Sequence, residues 1–281
     1  MRHALVPTTF LSVEGDDRVD FVSGLVSGNV RDLAAGDSVR SLMLNHRGHA
    51  LAELTAWRLG DSLLLAVHDG QGELVRTEFE GRIIFDQVEI GDVTHSHSLL
   101  AVLDWHAGTE LPGGVLATAR ARRSHSPAID LVASGDGVDQ AAALEALGSV
   151  PVGLDELELE RIRAGIPSAV RDAGAGVLPQ EAGLEPLVSY RKGCYLGQEI
   201  MARIEARGNM RRQLQGVALS AEPAEGERDI LLDGRRVGRL GSVTLDPELG
   251  WLGLAVLRND LEEGASLCVG GVRAVSRALS E

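Results

Sequence analysis

The residue types best suited to chemistry are concentrated in one short segment. Residues 190–195 have the sequence YRKGCY and contain the only lysine of the chain, both tyrosines and one of the two cysteines. All the rest of the 27 lysine and arginine positions are arginine. Arginine stays charged in all surroundings, whereas the pKa of a lysine shifts readily on burial. A lone lysine two residues before a cysteine predicts that an ammonium group is needed beside the thiol.

Cys194 is the candidate reactive group of this segment. Nearby cations and a helix N-terminus favour the thiolate, which is the nucleophilic form of cysteine. Arg191 and Lys192 supply the cations. The apolar spacing of residues 200–204 predicts a helix that starts near Gly197, with its positive end directed at the thiol. We therefore expect Cys194 to be reactive.

The second cysteine has different surroundings. Cys268 stands between Leu267 and Val269 in a strand-like apolar run. Free cysteines in such runs usually behave as small buried hydrophobic residues. The hypothesis is thus that Cys194 is reactive and that Cys268 is structural.

Other kinds of site have weaker support. His46 and His49 form one histidine pair and His95 and His97 another, but neither has a cysteine or carboxylate at ligand spacing. We therefore expect no stoichiometric protein-held metal. Nothing in the sequence fixes the orienting acid of a Cys–His–Asp hydrolase. The 34 glycines form no phosphate-binding loop in a strand–helix setting.

Composition limits the class of protein. A chain of 281 residues with 44% hydrophobic residues predicts about two globular domains. Free cysteines suit a reducing compartment, and neither an apolar leader nor a membrane-length apolar run is apparent, so a soluble cytoplasmic protein is expected. A net charge of −14 disfavours general polyanion binding. Residues 191–212 nevertheless carry six basic and two acidic residues, which makes them either a solvated face or an anion site.

The hydrophobic pattern predicts a mixture of helices and strands followed by a β-rich end. Helices are predicted after Asp17 and over residues 73–81, 138–147 and 157–164, and strands over 39–44, 51–59, 63–67, 99–103 and 129–132. Residues 120–125 are predicted to be a solvated loop or edge. After Arg212, short apolar runs alternate with Gly, Asp and Pro turns, which is typical of a small antiparallel barrel or sandwich.

The cysteine segment also resembles a known family signature. Residues 192–199, KGCYLGQE, followed by Ala202 and Arg203, resemble the signature of the YgfZ-type folate-binding proteins. These are relatives of the glycine-cleavage T-protein, a folate-dependent aminomethyltransferase. Residues 21–26, 47–48, 161–167, 178–181 and 237–243 match other family segments in the expected order, so the resemblance spans nearly the whole chain.

The resemblance implies a fold and a role. The fold class is α+β, with two mixed α/β lobes around a central channel over residues 1–208 and a small C-terminal antiparallel β-barrel over 209–281. The implied cofactor is tetrahydrofolate or a derivative, held in the channel. The implied role is to assist assembly or repair of iron–sulfur clusters, in support of tRNA-modifying enzymes. The implied partners are folate and iron–sulfur client or assembly proteins, with neither a membrane nor direct nucleic-acid binding.

The resemblance also assigns roles to residues. Cys194 and Lys192 become the functional pair. The residues expected to shape the folate site are Tyr195, Gln198, Glu199, Arg203 and Glu181. The basic segment gains a purpose, because folate ends in a carboxylated glutamate tail that Arg203 or Arg207 could pair with.

One departure bears on the activity. Aminomethyltransferases carry a glutamate that meets the pterin where this chain has Arg163, and a cation cannot accept hydrogen bonds from pterin N–H groups. The acidic partner of the pterin stays open, with Glu181 and Glu185 as candidates by proximity. The accessory role is therefore favoured over the alternative, a folate-dependent one-carbon transferase. A third possibility is a pure binding module for RNA or a protein, using the basic stripe of residues 203–212.

Overall fold

The computed structural model describes residues 1–174, 176–208, 210–262 and 264–279. The helices are α1 Arg18–Leu25, α2 Gly72–Glu80, α3 Val138–Ala146, α4 Leu154–Arg163 and α5 Gln198–Arg207. The strands, in chain order, are β1 Arg2–Val6, β2 Thr9–Glu14, β3 Ser38–Leu44, β4 Ala50–Leu59, β5 Ser62–Val67, β6 Glu89–Asp92, β7 His97–Leu103, β8 Val115–Ala121, β9 Ala128–Ser134, β10 Val150–Pro151, β11 Arg212–Leu219, β12 Asp229–Leu232, β13 Arg235–Asp246, β14 Gly250–Arg258, β15 Ser266–Val269 and β16 Val272–Arg277. None of the described helices combines the length and apolarity that a membrane-spanning helix needs.

The first lobe is a sheet of five strands in the order β3-β4-β5-β2-β6, covered on one face by α1 and α2. Val75 and Phe79 are four residues apart on α2 and are both fully buried against the sheet. The Phe79 ring meets that of Phe21 of α1 edge to face, with centroids 6.0 Å apart. Leu74 is 36% exposed, because it lies one position before Val75 around the helix and so points away from the sheet.

The second lobe is a sheet in the order β10-β1-β7-β9-β8, and it packs on the uncovered face of the first. Phe10, Trp57 and Leu64 of the first sheet meet Leu99 and Val132 of the second in one buried cluster. The indole Nε1 of Trp57 donates to the Thr118 carbonyl at 2.9 Å, so the polar atom of this buried ring is satisfied. The two sheets therefore share one buried core.

The third lobe is a closed antiparallel barrel in the order β11-β14-β13-β12-β15-β16. Ile162 of α4 packs on Leu252 and Leu254 of the barrel. Asp172, fully buried, accepts from the backbone N–H of Ser242 at 2.7 Å and from Arg161 Nη1 at 2.7 Å. Apolar packing and a buried carboxylate thus tie the barrel to α4.

Residues 166–201 join the lobes and carry the cysteine segment. They form short turns rather than long elements, with a π-helical turn at Ala169–Ala173 and a 3-10 turn at Glu185–Leu187. Their buried side chains pack together with Leu42 and Leu44 of β3 and with Val256 of the barrel. The cysteine segment is therefore held between the first sheet and the barrel.

The fold class expected from the sequence is confirmed, with mixed α/β lobes and a C-terminal antiparallel barrel. The sequence did not predict β16, which closes the barrel against β11. Residues 120–125 were expected to be a solvated loop or edge: β8, which extends to Ala121, is an edge strand, but the expectation was wrong for Arg123, whose side chain is only 19% exposed. Arg123 is covered because it folds inward to pair with Asp130 of β9.

Candidate functional site

The ammonium group of Lys192 is enclosed by backbone carbonyls. Nζ donates to the carbonyl oxygens of Ser23 and Gly28, each at 2.7 Å, and to that of Val26. These carbonyls belong to the end of α1 and the turn that follows it, more than 160 residues away in the chain. Lys192 is 8% exposed, so its ammonium group supplies a donor to three carbonyls inside the protein.

The surroundings of Lys192 also favour a change of protonation. Burial lowers its pKa to about 7, and the positive charge of Arg31 adds to the effect. The ring of Tyr195 lies on the other side, with its centroid 4.9 Å from Nζ. The lysine therefore anchors the cysteine segment to α1, and its amine faces the backbone rather than open solvent.

Cys194 lies on the surface between two buried anchors, Lys192 and Tyr195. Arg31 lies beside the preceding residue, Gly193: a Cβ added there would be 2.7 Å from Arg31 Nη1. Arg31 in turn pairs with Asp20 of α1 at 2.6 Å. The thiol is therefore open to a partner and has a cation from a distant segment next to its own turn.

The turn into α5 depends on a glycine. Gly197 has φ +85 and is the N-cap of α5. A side chain there would be strained and would also approach the carbonyl of Asn45 to 2.9 Å. The helix predicted to begin near Gly197 is thus confirmed. Cys268, in β15, is half-buried.

The remaining motif residues of the expected folate site lie around α5. Tyr195 is buried and packs in the junction cluster, and burial with the Tyr190 and Glu205 charges raises its pKa to about 12. Its hydroxyl has no hydrogen-bond partner among the described residues. Gln198 and Glu199 form the first turn of α5, half-buried and exposed respectively.

Arg203 and Glu181 lie together in a surface groove of about 730 Å³ between α5 and the barrel. Glu181 is buried and accepts from Arg212 Nε at 2.9 Å and Nη2 at 2.6 Å. Glu185 accepts from the Tyr190 hydroxyl at 3.3 Å. The side chain of Arg207 lies outside the described part of the chain.

A separate cavity of about 510 Å³ lies between the two sheets, α4 and the segment that follows it. None of the seven residues predicted for the site lines it. Charged side chains dominate its wall: Glu53, Asp69, Asp130, Glu158, Arg123 and Arg171. Arg123 pairs with Asp130 through two hydrogen bonds of 2.6 and 3.0 Å, and Arg40 pairs with Glu53. Pairing of this kind is what allows carboxylates to remain buried.

The α4 wall of this cavity carries a carboxylate held by two arginines. Glu158 accepts from Arg161 at 2.9 and 2.7 Å and from Arg171 at 2.8 Å. Burial opposes ionisation, but the hydrogen bonds and charges of both arginines hold the pKa of Glu158 below its usual value. Asp155, one turn earlier on α4, also lines the cavity and is exposed.

The cavity lining also contains a strained aspartate. Asp69 has φ +54, a left-handed conformation that is uncommon for residues other than glycine. Its Oδ2 accepts from Ser168 Oγ at 2.7 Å, and Arg171 lies 3.4 Å from Oδ1. The preceding His68 is 3.2 Å from the Thr55 hydroxyl, and burial lowers its pKa. Strain of this kind is often found at functional sites.

Sequence reasoning missed this cavity because its residues come from distant segments. Asp69 and Gly70 have the sequence of an ordinary turn, and Glu53 stands inside a strand. The one available signal was the unusual charge within the strand-like runs that contain Glu53 and Asp130. Arg163, the position of the expected pterin glutamate, does not line the cavity and pairs with Asp246 of the barrel at 2.7 Å.

Each histidine pair lies next to the end of a strand. His46 and His49 lie in the turn between β3 and β4, and His95 and His97 flank the start of β7. Within the described ranges, no three His, Cys, Asp or Glu side chains are grouped in a way that could hold a metal ion.

Comparison with known structures identifies the class of fold. The aminomethyltransferase T of the glycine cleavage system from Bartonella henselae superposes with a TM-score of 0.77, over 99% of this chain and 85% of that one, at 19% identity. The chain therefore has the T-protein fold. No family model matches the sequence.

Comparison of sequences then gives the family. The tRNA-modifying protein YgfZ of Yersinia pseudotuberculosis is 27% identical over 295 residues, covering 94% of this chain and 88% of its own. YgfZ of Yersinia enterocolitica is 39% identical over 116 residues, 38% of this chain. A putative chloroplastic transferase of Arabidopsis thaliana is 28% identical over 83% of this chain, which spans 59% of that relative's length. The resemblance to the YgfZ-type proteins, a family related to the T-protein, is therefore confirmed over nearly the whole chain.

Proposed function

We propose that this protein binds tetrahydrofolate, or a derivative, in the cavity between its two sheets. We further propose that it is an accessory protein of iron–sulfur cluster assembly or repair in the cytoplasm, supporting iron–sulfur enzymes that modify tRNA. The observation that carries the proposal is a cavity of about 510 Å³ lined by both carboxylates and arginines, in a chain with the T-protein fold. A volume of this order is typical of small-molecule sites.

The residues of the cavity fit the chemistry of a folate. A pterin presents N–H donors, and the carboxylates of Asp155 and Glu158 are acceptors on one wall. The glutamate tail is anionic, and Arg122 and Arg171 are cavity arginines that keep exposed surface. Glu158 and Arg171 pair with each other at 2.8 Å, so Asp155 would hold the pterin end of the cofactor and Arg122 its glutamate tail. Bound tetrahydrofolate would supply the capacity to carry one-carbon units.

The thiol forms the second part of the proposal. Cys194 is exposed, so it can meet a protein partner directly. Soft thiolates suit iron–sulfur centres, but one cysteine cannot hold a cluster alone. An iron–sulfur client or assembly protein would supply the other ligands while Cys194 contributes one of them transiently.

The two parts can be tested separately because no residue of the cysteine segment lines the cavity. Calorimetric titration with tetrahydrofolate tests the first part, and stoichiometric binding is the expected result. The absence of heat at concentrations well above those that saturate folate proteins would overturn it.

Cellular complementation tests the second part. In cells that lack this protein, we expect the wild-type chain to restore the activity of iron–sulfur tRNA-modifying enzymes and Cys194→Ser to fail. Cys268→Ser is the matched control, since it removes the other thiol and is expected to rescue fully. Equal rescue by Cys194→Ser would remove the thiol from the proposal and leave folate binding untouched.

A one-carbon transferase is the alternative function. It is favoured by the buried carboxylates Glu53 and Asp130 in the cavity wall, where they could meet the reactive edge of a folate. Both already pair with arginines, so their oxygens are engaged within the protein. Turnover of a folate-linked carbon unit by the purified protein would support the transferase, and binding without turnover would support the accessory role.

A further inference from the structure

The groove between α5 and the barrel has a charge that differs from the rest of the molecule. Four arginines line it: Arg203 of α5, Arg211 just before β11, Arg212 at the start of β11 and Arg258 at the end of β14. The β11 and β14 arginines are brought together by strand register, because Arg212 is directly opposite Arg258 in the ladder. The chain as a whole has a net charge of −14.

Two of these arginines are already neutralised. Arg212 forms a two-point pair with Glu181, and Arg258 forms one with Asp260. Arg203 and Arg211 have no carboxylate within 4.0 Å among the described residues. Within the described ranges, two cations of this groove therefore lack a carboxylate partner, although the chain has 41 acidic residues.

The rest of the lining is partly polar, with Glu181, Asn259 and Asp260, and partly apolar. Leu178, Ile204 and Met210 form half-buried patches between the arginines. Arginine binds phosphate and carboxylate through two parallel hydrogen bonds, and its flat face also stacks on rings. A groove of about 730 Å³ with two free guanidinium groups and an apolar wall suits an organic molecule that bears two negative charges on a flat or apolar body.

We propose that this groove is a binding site for a small organic dianion, a phosphate monoester or a dicarboxylate, held by Arg203 and Arg211. The acidic remainder of the chain repels long polyanions, so the ligand is a small molecule rather than a nucleic acid strand. The site is distinct from the folate cavity, because the two sets of lining residues have no member in common. The proposal therefore holds whether or not the cavity binds folate.

Calorimetric titration with three probes tests the proposal. AMP presents a phosphate monoester on a flat body, p-aminobenzoylglutamate presents two carboxylates on one, and inorganic phosphate lacks the body. We expect AMP or p-aminobenzoylglutamate to bind more tightly than inorganic phosphate, and whichever binds identifies the charged group. The double variant Arg203→Gln, Arg211→Gln should weaken that binding by about 100-fold, since each charge-assisted contact is lost.

A matched double variant separates the site from general charge effects. Arg235→Gln with Arg273→Gln removes the same charge from exposed positions of the barrel and should leave the affinity unchanged. Tetrahydrofolate titrated into the groove variant should give the wild-type result, which distinguishes this site from the cavity. The proposal is overturned if neither organic probe binds, if the groove variant binds like the wild type, or if both double variants lose binding equally.

Discussion

The ammonium group of Lys192 lies over the ring of Tyr195, with Nζ 4.9 Å from the ring centroid. These two residues flank the exposed Cys194 and are both buried. The lysine fixes one side of the turn to α1 through three carbonyls, and the tyrosine fixes the other side in the junction cluster. A solvent-accessible thiol is thereby held in one position by its neighbours.

Replacement of Lys192 should destabilise the protein. Lys192→Met keeps a chain of similar length but leaves three buried carbonyls without their donor. Each unmatched buried acceptor costs about 1–3 kcal/mol, so a loss of roughly 2 kcal/mol or more is expected. Urea denaturation at pH 6 measures it. The exposed neighbour gives the control, because Arg191→Met should change stability by less than about 0.5 kcal/mol.

The same lysine should give the stability a pH dependence. Its pKa falls from the ordinary 10.5 to about 7 in the folded protein. Between these values the unfolded chain binds more protons at this group than the folded chain, so stability rises with pH across this window. The difference in unfolding free energy between wild type and Lys192→Met should therefore grow from pH 6 to pH 9.5. A difference that stays constant with pH would contradict the lowered pKa.

Asp172 should be a major contributor to the attachment of the barrel. It accepts from Arg161 and from the backbone N–H groups of Ser168 and Ser242, each at 2.7 Å. Asp172→Ala leaves the Arg161 charge largely buried with one partner fewer, at a cost of about 3–5 kcal/mol. Asp229→Ala, which breaks the exposed pair with Arg236, should cost only about 0–1 kcal/mol. Denaturant melts of both variants would show comparable losses if this assignment were wrong.

Asp155 should affect folate binding without affecting stability. It is exposed in the first turn of α4 at the cavity wall. Loss of one charged acceptor should weaken tetrahydrofolate binding by about tenfold in Asp155→Asn. Asp139→Asn is the control, since Asp139 is exposed in the first turn of α3 and does not line the cavity. Calorimetry on the two variants would give equal affinities if the cavity did not hold the pterin.

Alkylation should distinguish the two thiols. Cys194 is exposed, whereas Cys268 is half-buried in a barrel strand. Iodoacetamide at neutral pH should modify Cys194 first in the folded protein, as followed by peptide mass spectrometry. In urea the two rates should converge, because the difference arises from access and local charge. Preferential modification of Cys268 in the folded state would contradict the structure.

Local patterns predicted much of this fold. The helices α1 to α5 and the strands β3 to β5 follow from apolar spacing, since each has one face or stripe to bury. The β-rich C-terminal region follows from short apolar runs separated by turn residues. Strands such as β1, β2 and β16 were not predicted, because their few apolar positions are also compatible with loops until a neighbouring strand pairs with them.

The sequence by itself determined the class of fold, the family resemblance and the segment around Cys194, because residue type and local spacing are sufficient for these. Only the tertiary structure decided which residues face each other. It placed the lone lysine against carbonyls more than 160 residues away, gathered Glu53, Asp69 and Glu158 into one cavity, and brought Arg203 and Arg211 into the lining of the groove. Such contacts depend on the order and register of the strands. These bring together segments that are far apart in the chain, and local sequence does not indicate that they meet.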